Sequence, residues 1–517
     1  MKIKLKDISV GLADGLKESE NVKFEDLFYT GNNKYATLKN NQNKFIISGK
    51  KGTGKTILAK YFEKEQCKVN HPTITLTKRE FILQSYIEKG SFELSNYDYG
   101  LFVEYVMLVE IAKQLVKNKR KLYFSSKFYR FLYIKKKLDF LNRIIDERVS
   151  IDNFILENYS TDDIKENEIN LNAKVAPIRD KSYVDAGIKD FTGKKLQKKY
   201  KKNPYYNLLD KLGDTCVCLM KICNINIIFD DLDEMDDNID GNRDLIQLLI
   251  TFIECASNLN NEFVKNGVSD SRIIVLIRSD ILRVLNSYSS NLNKILSDSE
   301  LKLNWIKKTR DGSVHPLMDL IITKIRNSNN YLKDKTYNEV LKQFFPCKIN
   351  GIPIVDHMLN WSFGRPRDFI NMLNVIKDNY PNETRFKEEF FKDTQQEYSL
   401  IFTNELRNEL SLHYDIKIVN ECFKIIHFNG LKVFTLDDIS KVLLNYSEEL
   451  ITFKNAKHFI DFAYEYGIIG NIWERKGNTE QKRKKYNFSW KYREDGFDKP
   501  DYNRKFYVHL ALRNSLL

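Results

Sequence analysis

Seven cysteines, seven histidines and nine prolines are spread through 517 residues. No apolar run reaches the roughly 18 residues that a membrane-crossing helix requires. So few cysteines exclude a disulfide framework, and a reducing cytosol would keep them as thiols. Cys216, Cys218 and Cys223 lie close together, but no second pair or neighbouring histidine completes a tetrahedral set. They are expected as buried core thiols, not zinc ligands. The histidines fall at 71, 315, 357, 413, 427, 458 and 509, without metal-ligand spacing. Ser48 and Ser279 have no histidine–acid set beside them, so triad chemistry finds no support. The amino terminus carries lysines and then acidic and polar residues, with no apolar signal region. This predicts a cytoplasmic chain with no membrane partner. Acidic residues are in deficit too: 83 Lys and Arg stand against 70 Asp and Glu, a net charge of +13. That surplus permits phosphate-rich partners, DNA or RNA included, without establishing any.

What is present reads as a globular chain. Hydrophobic residues make up 42% and charged ones 30%. The length suits two to four domains at roughly 100–200 residues each. The run Lys44-Phe45-Ile46-Ile47-Ser48 has the length and apolarity of a buried strand. It leads straight into Gly49-Lys50-Lys51-Gly52-Thr53-Gly54-Lys55-Thr56, which fits G-x-x-x-x-G-K-[ST] in full. Helix-forming residues follow at once. Glycines in such a turn let successive N–H groups face phosphate oxygens, and the helix adds the positive end of its dipole. Lys55 is expected to reach the outer phosphates, and Thr56 to offer its hydroxyl to Mg²⁺.

A second apolar run, Ile227-Ile228-Phe229, stops abruptly at Asp230-Asp231-Leu232-Asp233-Glu234. Ligands in open α/β sheets bind at the carboxyl ends of strands, so these carboxylates belong at such an edge. Asp230 suits the Mg²⁺ shell. Asp231 or Glu234 can polarise an attacking water, and Asp231 is favoured. Arg278 ends the strand 272–277 and would face the outermost phosphate if that strand neighbours the acidic one; an ordinary salt-bridged loop at 278–280 is the equal alternative. Arg367 opens a helix after Gly364-Arg365-Pro366 and can swing over a triphosphate; its competing role is an ion pair with Asp368.

Along the chain, residues 1–43 read as an entry segment and 44–300 as a core, with a helical insertion at about 77–222. Helices are expected from 280 to about 378, broken near Pro346 and at 364–366. Residues 301–400 then form a helical lid. In 401–517, helices near 416–427, 436–445 and 455–466 precede candidate strands 467–474 and 486–492, the order of a winged helix. Residues 117–137 interleave Lys and Arg with Tyr123, Phe124, Phe128, Tyr129, Phe131 and Tyr133. Such a stretch can stack bases and bind phosphates, or it can form a helix with a buried aromatic face and a solvated basic one, and the second is the favoured expectation. The runs 194–202 and 482–485 are solvated by default, although the second would sit at a wing tip.

These pieces together resemble the additional-strand P-loop ATPases, the branch holding AAA+, STAND and KAP proteins. The 49–56 turn, the acidic motif at 230–233, the strand end Arg278-Ser279-Asp280 and residues 364–368 carry the likeness. A strand at 73–76 between the two Walker motifs also fits that branch. The chain is most similar to bacterial P-loop ATPases with DDLDE and GRPRD motifs, many of which sit among phage-defence genes. The resemblance implies an α/β P-loop core with a helical insertion, a helical lid and a winged-helix-like end. It implies ATP and Mg²⁺ as cofactors, hydrolysis by water, and a conformational or assembly switch acting on an effector protein or a homo-oligomer. The long spacing between the Walker motifs departs from a compact AAA+ core. No base-reading motif of GTPases is apparent. The rival expectation is a nucleic-acid-binding regulator or assembly scaffold in which ATP is mainly structural.

Overall fold

The computed structural model describes residues 3–77, 96–124, 128–146, 204–232, 243–268, 270–306, 314–474, 486–493 and 496–517. The chain enters its first strand at β1 (Ile46–Gly49) and turns into helix α1 (Lys55–Lys68). Strand β2 (Thr73–Leu76) is followed by α2 (Asn96–Lys117), α3 (Lys119–Phe124), α4 (Phe128–Asp146) and α5 (Pro204–Met220). Strand β3 (Asn226–Phe229), helix α6 (Arg243–Lys265), strand β4 (Arg272–Arg278) and helix α7 (Ser279–Tyr288) come next. A short strand, β5 (Glu300–Lys302), precedes α8 (Pro316–Ser328). A small hairpin, β6 (Lys348–Ile349) and β7 (Ile352–Pro353), separates it from α9 (Pro366–Asn379) and α10 (Gln395–Leu410).

The carboxyl-terminal part runs α11 (Ile416–Asn429), β8 (Val433–Phe434), α12 (Leu436–Asn445), α13 (Ala456–Glu465), β9 (Ile469–Glu474), β10 (Tyr486–Ser489), β11 (Lys505–Val508) and α14 (Leu510–Leu516). No described helix is long and apolar enough to cross a membrane.

The protein is α/β at its centre: a five-stranded sheet of order β2-β3-β4-β1-β5, flanked by helices. The β1–β5, β2–β3 and β3–β4 pairs are parallel. Strands β1, β3 and β4 are buried at every position. That is why they are short unbroken apolar runs instead of alternating ones. β5 is the exception. It occupies the position beside β1 that lies at the sheet's edge, and only Leu301 of its three residues is buried.

The chain divides into two compact units. One comprises Met1–Glu65, Asp230–Arg243 and Leu276–Leu517; the other comprises Gln66–Phe229 and Asp244–Val275. β4 contributes to both. In the second unit, buried asparagines complete the backbone bonding. Asn226 donates to Thr73 Oγ1 at 3.1 Å and accepts the Arg272 N–H at 3.1 Å. Asn260 donates to the Ile273 carbonyl at 2.9 Å and accepts the Ile273 N–H at 2.8 Å. Buried amides satisfied in this way avoid the desolvation cost of unpaired polar groups. In the first unit, one continuous apolar core runs from Leu5 through α8, α9, α10 and α11 to Leu516. An antiparallel sheet of order β10-β9-β11-β8 closes its carboxyl-terminal part.

The helical run expected from 280 to about 378 breaks near Pro346 as expected, where the β6–β7 hairpin follows, and is interrupted in addition by β5. Asn350 and Gly351 turn that hairpin with φ of 49° and 78°, the left-handed pair that tight hairpins demand. The two strands expected near 467–474 and 486–492 form as β9 and β10, and β8 and β11 join them.

Candidate functional site

The first unit contains all the described pieces of the site. β1 ends at Gly49 and α1 begins at Lys55, so the turn between them aims its backbone at the space beyond the sheet's carboxyl edge. Gly52 and Gly54 take φ of 80° and 93°, a region that residues with a Cβ rarely adopt. Gly52 is constrained twice, since a Cβ there would meet Arg367 Cβ at 3.0 Å. Thr53 is buried; its hydroxyl donates to the Lys50 carbonyl at 2.8 Å, and its own carbonyl accepts Trp305 Nε1 at 2.9 Å. These bonds fix the turn from below. Lys55 Nζ donates to the Gly49 carbonyl at 3.1 Å and so arches across the mouth of the turn.

Opposite the turn stand the carboxylates that follow β3. Thr56 Oγ1 donates to Asp230 Oδ2 at 2.7 Å, joining groups 174 residues apart in sequence. Asp230 is 2% exposed, and its Oδ1 accepts the Asp231 N–H at 3.0 Å. Asp231 has φ of 59°. A left-handed aspartate costs backbone energy and tends to occur where geometry is held for a purpose.

A cavity of about 120 Å³ opens between these groups. Lys51, Gly52, Gly54, Lys55 and Thr56 line it from the turn, and Asp230, Asp231 and Arg278 from the strand ends. Arg367 and Ile370 of α9 form a further wall, with Leu12 and Ala13 of the amino-terminal segment. Arg367 is held over the turn by its N–H, which donates to the Gly52 carbonyl at 3.4 Å, and by Nε, which donates to the Ala13 carbonyl at 3.1 Å.

Of the sequence-predicted residues, the structure therefore brings Lys51, Gly52, Gly54, Lys55, Thr56, Asp230, Asp231, Arg278 and Arg367 to one cavity. Gly49 and Thr53 shape the turn beneath it. Lys50 turns elsewhere, with Nζ 6.0 Å from the centroid of the Tyr492 ring. Glu234 lies outside the described residues.

Behind the cavity lies an ion network of which sequence reasoning raised only the salt bridge at 278–280. Arg278 pairs with Asp280 through Nε at 3.1 Å and Nη2 at 2.5 Å, and approaches Glu409 at 3.6 Å. Glu409 accepts Arg365 Nη1 at 2.9 Å. Arg365 Nη2 pairs with Asp368 at 2.9 Å, and its Nη1 donates to the Lys51 carbonyl at 3.3 Å. His413 Nε2 lies 2.9 Å from Asp280 Oδ2. The expected alternative for Arg367, an ion pair with Asp368, is corrected: Asp368 belongs to Arg365.

Burial alone would raise the Asp280 carboxyl, but His413 and Arg278 outweigh it and hold the group well below the usual carboxylate range. Glu409 is lowered as well, because Arg365 and Arg278 outweigh its burial. Burial would pull the Arg365 guanidinium down, but Asp368 and Glu409 raise it instead. Burial lowers Lys50, and Glu409 opposes that shift. No local sequence signal marks Glu409, which is one of several acids on α10.

Residues 315–407 match the family model of the FunZ-associated C-terminal helical domain. No curated protein matches the chain. The matched segment holds α8, α9 and most of α10. It therefore supplies Arg365, Arg367 and Asp368 to the site, whereas the glycine turn and the paired aspartates lie outside it.

The cysteines behave as expected. Cys216 and Cys223 are buried, Cys218 is partly so, and burial pushes the Cys216 thiol up. Among the described residues no cluster of three or more His, Cys, Asp or Glu is placed to hold a metal.

Proposed function

We propose that this chain is a P-loop ATPase that binds Mg·ATP in the 49–56 turn and hydrolyses it with water. The observation that carries the reading is the Thr56–Asp230 contact. A hydroxyl at a helix start and a buried carboxylate at a strand end form the hard oxygen pair that Mg²⁺ favours. When bound there, the ion would neutralise charge on the outer phosphates. Lys55 and the turn's N–H groups would hold those phosphates. Asp231 would orient and deprotonate the attacking water, and Arg367 would stabilise charge that develops in transfer, while Arg278, paired with Asp280, would border the outer phosphate. Leu12, Ala13, Ile57 and Ile370 give the cavity an apolar end suited to a purine base.

ATP would then join the amino-terminal segment, the turn and α9, and hydrolysis would remove the contact of Arg367 with the third phosphate. That differential contact is what a nucleotide-driven conformational or assembly switch needs. The succession α11, β8, α12, α13, β9, β10 supports a winged-helix reading of the carboxyl-terminal part.

Phosphate release from Mg·ATP tests the assignment. Asp231→Asn is expected to keep nucleotide binding and slow turnover by about a hundredfold or more. Wild-type turnover in that variant, with turnover lost in Glu234→Gln, would transfer the role to Glu234. Absence of any Mg-dependent release from the unsubstituted protein would overturn the hydrolase reading.

A further inference from the structure

We infer that the exposed surface shared by α3 and residues 131–137 of α4 is a binding surface for single-stranded nucleic acid. The sequence reading placed the aromatic residues of 117–137 in a core, and the structure overturns this for several of them. Leu122, Ile134, Leu138 and Leu141 take the buried positions. The aliphatic stripe of α4 therefore satisfies the packing, and the rings are left over. Phe124 is 91% exposed, Phe131 39% and Tyr133 53%, with Leu132 at 60%. Tyr123 and Phe131 have centroids 4.7 Å apart and join the two helices, whereas Tyr133 turns to another side of α4, its hydroxyl 3.5 Å from Cys218 Sγ of α5.

Charge identifies the occupant. No acidic residue occurs between Glu110 and Asp139. Lys119, Arg120, Lys135 and Lys136 are exposed, and none has an ion pair with a described residue. Lys137 Nζ lies 5.1 Å over the Tyr133 ring and thickens the positive field at its face. Accessible rings beside uncompensated cations are the two elements that hold a single strand: bases stack on the rings and phosphates meet the lysines. A duplex keeps its bases stacked on each other and can use only the lysines. A lipid surface or an acidic protein would also meet the lysines, but neither offers a repeating series of planar bases at the spacing of its phosphates.

Fluorescence anisotropy of a labelled oligothymidylate with the full chain tests the surface. Binding should fall steeply with salt and should exceed binding to a duplex of equal length. Phe131→Ala and Phe124→Ala should each weaken it by roughly tenfold. Phe124 is 91% exposed, so thermal unfolding of Phe124→Ala should not change, which separates lost binding from lost packing. Lys135→Glu with Lys136→Glu should weaken binding and flatten its salt slope. Oligonucleotide affinity unchanged in the ring variants overturns the proposal, as does no binding at low salt. Equal or tighter capture by anionic phosphatidylglycerol vesicles, or displacement of the oligonucleotide by polyglutamate at equal charge, also overturns it, because charge alone would then explain the surface.

Discussion

Arg365 and Arg367 lie two positions apart at the start of α9 and do different work. Arg365 is 3% exposed and neutralises Asp368 and Glu409. Removing it strands the fully buried Asp368 and leaves Glu409 only the longer Arg278 contact at 3.6 Å, and a broken buried pair costs about 3–5 kcal/mol. Arg367 lines the cavity and gives up one side-chain hydrogen bond, to the Ala13 carbonyl; a neutral-acceptor bond is worth about 1 kcal/mol. Urea unfolding should therefore show Arg365→Ala far less stable than Arg367→Ala. Arg367→Ala should instead lose preference for ATP over ADP. Equal destabilisation of the two variants would place both arginines in the structural network and leave the cavity without its α9 cation. Asp231 lines the same cavity and holds a left-handed backbone with φ of 59°.

At the scale of elements, α7 and α10 meet through Asp280, Arg278 and Glu409, and the pH dependence of folding should report that junction. The folded Asp280 carboxyl titrates below its unfolded value, so the unfolded chain binds more protons in acid. Its stabilisation is complete above roughly pH 4, the ordinary aspartate range, and is lost as pH falls below that toward the folded value. Asp280→Asn should be less stable than wild type at pH 7 and should lose less stability between pH 5 and pH 3. Parallel pH profiles for the two proteins would remove Asp280 from the linkage.

Much of the architecture was legible for a physical reason. Strands β1, β3 and β4 are buried throughout and must be apolar runs, and the glycine turn must use glycine where φ is positive. β5 was illegible because Glu300-Leu301-Lys302 buries one side chain, and its pairing with β1 is settled by tertiary contact. At the β6–β7 hairpin the break was legible from Pro346, but the turn signal of Asn350-Gly351 that makes it a hairpin went unread. The cavity's turn and carboxylates were readable as motifs. Leu12, Ala13 and Glu409 were not, because only folding brings them there. The exposed rings of α3 and α4 were misplaced because an aromatic stripe and an aliphatic one share the same helical period.

At the scale of the whole molecule, the first unit is assembled from three stretches of chain: the amino terminus, the carboxylates after β3 and the long carboxyl-terminal part. Glu18 and Lys324, both almost fully buried, pair across this unit. The Leu12 N–H donates to Glu18 at 2.5 Å, which fixes the segment that forms the cavity's apolar end. A ligand in the cavity would touch all three stretches at once, which is how a small molecule can govern the stability of a large unit. Titration calorimetry of Mg·ATP with the full chain and with Lys55→Ala tests this account most directly. A charge-assisted contact is worth about 1.5–3 kcal/mol, so the account predicts binding by the unsubstituted protein and a loss of roughly tenfold to over a hundredfold in the variant. Equal affinity in the two proteins, or no heat of binding in either, would contradict it.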